Sequence, residues 1–289
     1  MKISILLPYK ENFSPEYPGA VSLFVYETSK ISKFKKDITV FGNTNCKQIF
    51  KLKYININTK KAIFNSQTKN YVNDFIKLEK RSISSIIEVH NRPSYIHIIN
   101  HNLKDKILTL YFHNDPLSMD GSKTVEQRKK LLKICYKIIF NSAWSKKRFL
   151  EGLENKFINS NKLVIFYQSA EKGNLSTLKN KKKWITFVGK LNRAKGYDIF
   201  AKSIKKVLDK NKGWKALVIG DEKREKINLD HPNASILGFK KHEEVIKIFK
   251  KTSITVACSR WDEPFGRTSL EASANGCAVV ITKGGFQRQ

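Results

Sequence analysis

Two short apolar runs, Ile254–Ala257 and Ala278–Ile281, flank a polar loop and a short helical stretch. The loop holds Pro264 and Gly266, helical spacing runs from about Thr268 to Asn275, and Gly276 ends it. Strand, loop, helix, strand is half of a parallel α/β sheet, because two parallel strands need a crossover long enough to hold a helix. Such sheets bind ligands beyond the carboxyl ends of their strands, and the loop lies there. Two acids, Glu263 and Glu271, bracket the loop with seven residues between them.

The same alternation runs through the rest of the chain. Short β-like runs occur at Ile3–Leu7, Asp37–Phe41, Lys53–Ile57, Ser85–Val89, Ile107–Phe112, Lys137–Phe140 and Leu163–Tyr167. Between them, 19–32, Tyr71–Lys80, 124–134 and a stretch from Ser142 carry helical spacing. Glu171–Lys183 differs: five lysines stand among Gly, Asn, Ser and Thr, with Leu175 and Leu178 its only apolar residues. It reads as a linker. A second β-α array follows: strand Trp184–Val188, helix 195–210, strands Trp214–Ile219 and Ser235–Leu237, and helix His242–Lys250. The expected organisation is an α/β protein of two Rossmann-like domains, 1–170 and 184–289, joined by 171–183.

At 289 residues and 40% hydrophobic, the chain can bury two such cores. No apolar run approaches the roughly 18–20 residues that span a bilayer. The N-terminal Met1–Pro8 reads as a buried strand and not as a signal peptide, since it lacks a small-residue cleavage site. Cys46, Cys135, Cys258 and Cys277 share no metal-ligand spacing and read as reduced core residues of a cytoplasmic protein. The formal net charge is +30, and nine of the 55 basic residues are arginine. An AT-rich coding sequence accounts for so much lysine; so does attraction to polyanions such as anionic lipid or nucleotide phosphates. Both readings stay open. No helix-turn-helix, zinc-finger or aromatic RNA-binding pattern is present, so no specific nucleic-acid partner is expected.

Trp184–Gly196 is a strand, a loop with Lys190, Arg193 and Lys195, and the start of a helix. Cations beside a helix N-terminus make an anion pocket, because free N–H groups and the dipole both favour negative charge. Three solvated cations in a basic protein are the plainer alternative. Thr268-Ser269-Leu270-Glu271 fits a capping box, in which Glu271 reaches back to the helix's first N–H. Glu263 precedes Pro264 and has no helical duty, which leaves a solvated loop acid or a ligand group. His113 ends a strand in F-H-N-D-P, and His90 follows another in V-H-N-R-P; lone histidines are more often structural than catalytic. His97 and His101 fall one turn apart with no third ligand at useful spacing, so no zinc site is expected. The sequence has no D-x-D, P-loop or nucleophile-elbow motif.

The pair Glu263/Glu271 with Pro264-Phe265-Gly266 between them resembles the E-x(7)-E motif of retaining family-4 glycosyltransferases, which have the GT-B fold. The resemblance covers most of the chain and is sharpest over Trp184–Gly285. It implies two Rossmann-like domains facing a cleft, the second holding a nucleotide-diphosphate sugar and the first an acceptor. Lys195-Gly196 matches the family's G-R-x(4)-K-G segment, with Lys190 where the family has Arg. By resemblance, Lys190 and Lys195 offset charge on the departing diphosphate, with Arg193 near enough to assist. Glu271 holds the ribose hydroxyls, while Glu263 and His113 set the sugar's pose. Backbone groups of Phe265, Gly266, Arg267 and Thr268 serve the phosphates. Gly19, in a loop that is Gly-rich in the family, lets backbone approach them too.

The resemblance therefore implies metal-independent sugar transfer, with retention, from a nucleotide-diphosphate sugar to a saccharide or lipid-linked acceptor. No cofactor is implied beyond that donor. Surface-polysaccharide synthesis at the cytoplasmic face of an anionic membrane would suit it. The family continues beyond the element at Lys283-Gly284-Gly285, so a second domain short of its last elements is expected here. Three alternatives stay open: an inactive remnant, a basic polyanion-binding protein, and a GT-B epimerase or phosphorylase.

Overall fold

The computed structural model describes residues 1–60, 66–173 and 180–283. The chain divides into two compact units, Met1–Tyr167 and Gln168–Gln289. In the first, the order is β1 (Ile3–Leu6), α1 (Ala20–Ile31), β2 (Ile38–Gly42), β3 (Tyr54–Asn56), α2 (Gln67–Glu79) and β4 (Ile86–His90). Then come α3 (Pro93–Asn102), β5 (Ile107–Phe112), α4 (Val125–Ile134), β6 (Lys137–Phe140), α5 (Ala143–Leu150) and β7 (Leu163–Ile165). The strands form one parallel sheet in the order β3-β2-β1-β4-β5-β6-β7.

A sheet covered on both faces needs apolar residues at both parities, and these strands supply them. Ile87 and Val89 of β4, with Leu108, Leu110 and Phe112 of β5, enter a core shared with α2, α3 and α4. The opposite parity, with Ile5, Leu7, Val40 and Tyr111, packs under α1 through Val21, Phe24 and Val25. Glu88, His90 and His113 share that α1-side parity, because side chains two apart on a strand lie on one face.

The second unit runs β8 (Lys182–Val188), α6 (Tyr197–Lys210), β9 (Lys215–Ile219), β10 (Ala234–Ile236), α7 (His242–Lys251), β11 (Thr252–Ala257), α8 (Arg267–Ala274) and β12 (Ala278–Ile281). Its sheet is parallel, in the order β10-β9-β8-β11-β12. Ile185 and Phe187 pack under α6 against Phe200, Ile204 and Leu208, while Ile219, Val245, Phe249 and Ala272 fill the other face. The strand order reverses between β8 and β11, so the loops after these two strands open side by side at the switch point.

Most expected elements form within a few residues of their expected bounds. The stretch 171–183 differs from a plain linker at both described ends. Gly173 N–H donates to the Ala274 carbonyl at 2.8 Å, and Lys181 Nζ reaches the Phe249 and Asn275 carbonyls at 2.7 and 2.6 Å. Lys182 pairs with Thr252 and starts β8. Both flanks thus belong to the second unit; Leu175 and Leu178 lie outside the described residues, as do Gly284, Gly285 and the four residues after them. Cys135, Cys258 and Cys277 are buried and free, whereas Cys46 sits half-buried in the loop after β2. Among the described residues no helix is long and apolar enough to cross a membrane.

Candidate functional site

The loop after β8 turns at Gly189 and Gly196, both at positive φ. Gly196, at φ 71°, is the N-cap of α6, and a β-carbon there would collide with the Cys258 carbonyl of the neighbouring loop. Its own carbonyl accepts from Cys258 Sγ at 3.1 Å, and Arg260 N–H donates to the Ala194 carbonyl at 3.0 Å. The two loops are thereby fastened backbone to backbone. Lys190 and Arg193 are exposed, and their side chains make no bond with the described residues. Arg260, in turn, pairs with Asp198 at 2.6 Å.

Glu263 is not a solvated loop acid. Its Oε1 receives Lys195 Nζ, Ser259 Oγ at 2.7 Å and Trp261 Nε1 at 2.9 Å. Lys195 Nζ also stands 5.0 Å from the centre of the Trp261 ring. All three donors converge on Oε1, and no hydrogen bond from the described residues reaches Oε2.

The capping box expected at Thr268–Glu271 does not form. Helix α8 starts two residues earlier, with Gly266 as N-cap at φ 82° and no side-chain cap. Glu271 consequently lies in the helix's second turn, too far along to reach back to the first N–H. It is 7% exposed, and its Oε1 accepts from Arg267 Nε at 2.7 Å and meets His242 Nε2 at 2.9 Å. Burial pushes its carboxyl up, but the His242 hydrogen bond and the Arg267 charge outweigh this and hold it below the usual carboxylate range. Again Oε2 takes no hydrogen bond from the described residues. Phe265 is buried and Thr268 half-buried beside them. His242, Ser259 and Trp261 were not anticipated: nothing in the local pattern around His242 signals its contact with Glu271, which lies 29 residues on.

In the first unit His113 is 6% exposed and held by its backbone. Asn91 Oδ1 accepts from the N–H groups of His113 and Asn114, each at 3.1 Å, and Asn141 Nδ2 donates to the His113 carbonyl at 2.8 Å. Asn91 takes φ 55°, a left-handed conformation that asparagine tolerates better than most residues. The His113 ring stacks on Tyr111 with centres 4.5 Å apart, and Nε2 lies 2.9 Å from His90 Nδ1.

Gly19 serves another purpose than the phosphate approach expected of it. A β-carbon there would collide with the Glu11 carboxylate, whose Oε1 accepts from Ser22 N–H at 3.0 Å. The chain's own anion therefore already occupies the first turn of α1. Burial pushes this carboxyl up from its ordinary value, against the Ser22 hydrogen bonds and the Arg92 charge.

Two parallel α/β sheets of this order place the chain in the GT-B fold class. Residues 169–289 match the family described as glycosyl transferases group 1, so the second unit carries a glycosyltransferase domain. The whole chain is similar to the spore coat protein SA of Bacillus subtilis (strain 168), 19% identical over 99% of this chain and 81% of that one. Among solved structures, HepE of Anabaena in complex with UDP-glucose superposes with a TM-score of 0.75 at 15% identity, covering all of this chain and 82% of that one. A glycosyltransferase from Rickettsia africae gives a TM-score of 0.68 at 17% identity, covering 99% of this chain and 80% of that one.

Proposed function

We propose that the chain moves a sugar from a nucleotide-diphosphate sugar to a saccharide or lipid-linked acceptor, with retention and without a metal. The observation that carries this reading is the shared use of the two motif acids. Glu263 and Glu271 each spend Oε1 on the chain's own donors and keep Oε2 for hydroxyls, and Lys195, just before the N-cap of α6, is among the donors to Glu263. Fixed carboxylates suit sugar hydroxyls, and fixed cations at a helix N-terminus suit a diphosphate.

In this reading Lys195, Lys190 and Arg193 offset the charge that grows on the departing diphosphate, with backbone N–H groups around Phe265, Gly266, Arg267 and Thr268 assisting. Glu271 accepts from the ribose through Oε2. Glu263 accepts from the donor sugar, and His113 keeps the sugar-facing role that the resemblance implies. A cavity of about 470 Å³ at the carboxyl ends of β2 and β3 is lined by Lys10, Asn12, Asn43, Thr44, Asn45, Asn56 and Asn58. Side-chain amides both donate and accept, which suits a hydroxyl-rich acceptor. The net charge of +30 supports work at an anionic membrane face on the cytoplasmic side, in glycan synthesis.

Calorimetric titration with UDP, GDP and ADP at moderate salt tests the reading, repeated on Glu271→Ala. One nucleotide should bind saturably and lose affinity in the variant, and its sugar conjugates should then be turned over. Equal binding of all three that salt erases would reduce the site to a polyanion surface.

A further inference from the structure

We propose that Glu88 and His90 are positioning residues that fix the direction of the hydrogen bond at His113, so that His113 carries its ring proton on Nε2 and a lone pair on Nδ1. The inference rests on the reading that His113 faces the transferred sugar, but the geometry stands without it. Glu88 and His90 lie two apart on β4 and therefore on one face; His90 pairs in register with Tyr111 of β5, two residues before His113. That places a carboxylate and two imidazoles in line. Glu88 Oε1 lies 2.5 Å from His90 Nε2, and His90 Nδ1 lies 2.9 Å from His113 Nε2.

The direction follows from donor chemistry. A carboxylate only accepts, so His90 Nε2 carries the proton it shares with Glu88. When His90 is neutral its one N–H is already committed to Glu88, so Nδ1 accepts. His113 Nε2 is then the donor. Rotation of the rings is opposed by packing: Tyr111 stacks on His90 at 5.3 Å with an 8° interplanar angle, and Phe24 of α1 closes edge-on over His113 at 5.1 Å. His90 is 1% exposed, so water does not compete for Nδ1. The buried Glu11 carboxyl, which also feels Arg92, is a further titratable group within electrostatic reach of His90. Glu88 alone is partly open to solvent, at 27% side-chain exposure, so it can be changed without opening the core.

The test is a nitrogen-15 spectrum of the full chain at neutral pH, selectively labelled in the histidine rings. We expect a through-bond coupling between His113 Nε2 and His90 Nδ1, with the proton covalently on His113. Glu88→Gln, whose amide can donate as well as accept, should split the signal between both directions, while circular dichroism and UDP affinity stay unchanged. A proton found on His90 Nδ1, no coupling, or a Glu88→Gln spectrum identical to the parent's would overturn the proposal. Because nucleotide affinity is read separately, loss of UDP binding in the parent would overturn the transferase reading and leave this one intact.

Discussion

Lys195 and Glu263 lie 68 residues apart in the chain and meet as an ion pair where the β8 and β11 loops run side by side. The pair couples the group expected to grip phosphate to the group expected to grip sugar. Lys195 has three N–H groups and gives one to Glu263, so it arrives oriented with donors to spare. Lys195→Ala should weaken UDP binding by about 10–100-fold, the worth of roughly 1.5–3 kcal/mol for hydrogen bonds to a charged partner. Lys190→Ala removes an exposed cation and should cost only a few-fold. Equal losses for the two, by calorimetry at one salt concentration, would refute the division of labour. The melting midpoint should move little, since a pair whose side chains keep 31% and 16% exposure is still partly solvated and contributes about 1 kcal/mol.

Gly196→Ala should act on both loops at once. The residue sits at φ 71°, where an L side chain is strained, and its new methyl would press on the Cys258 carbonyl. Strain of this kind costs about 1–3 kcal/mol. A midpoint lower by at least about 4 °C is expected, together with weaker nucleotide binding, because the Cys258 loop leads directly to Glu263. Gly213→Ala is the control: it too has positive φ, but nothing lies near its missing β-carbon. It should lose stability and keep its affinity for nucleotide.

Glu79 supplies a stability test remote from any site. It is fully buried at the end of α2, where Oε2 accepts from Ser4 Oγ at 2.8 Å and Oε1 from Ser84 Oγ. It ties β1, α2 and the turn before β4 together. Glu79→Ala strands two buried hydroxyls at about 1–3 kcal/mol each, so the first unit should unfold at clearly lower urea. Replacing Ser4 and Ser84 by alanine along with Glu79 should recover part of the loss.

The two sheets were readable in the sequence because each parallel strand is a compact apolar run and each crossover a helix-length interval. Ile254–Ala257 and Ala278–Ile281 needed nothing else. The site was readable only where a motif carried it, as at Glu263 and Glu271. What the acids do was not, because hydrogen-bond partners come from elsewhere in the fold: His242 reaches Glu271 from α7, and Lys195 reaches Glu263 from the β8 loop. The capping box misled for a local reason. A glycine at positive φ can start a helix without a side-chain cap, and Gly266 does so ahead of Thr268. Gly19 misled for a tertiary one, since the space beside it is filled by Glu11.

The buried Glu271 makes the second unit's stability depend on acid. Its folded carboxyl ionises below its ordinary value of 4.5, because His242 and Arg267 favour the charged form more than burial disfavours it. The unfolded chain therefore binds this proton more readily than the folded one. The stabilisation is fully present above about pH 4.5 and is lost as pH falls through the lower, folded value. Glu271→Gln keeps the size of the side chain but cannot ionise, so it should be less stable than the parent at neutral pH and approach it as pH drops below about 4. Urea midpoints of parent and variant, taken from pH 7 downward, read the difference directly. A gap that stays constant across that range would show that Arg267 and His242 hold Glu271 by packing and not by its charge.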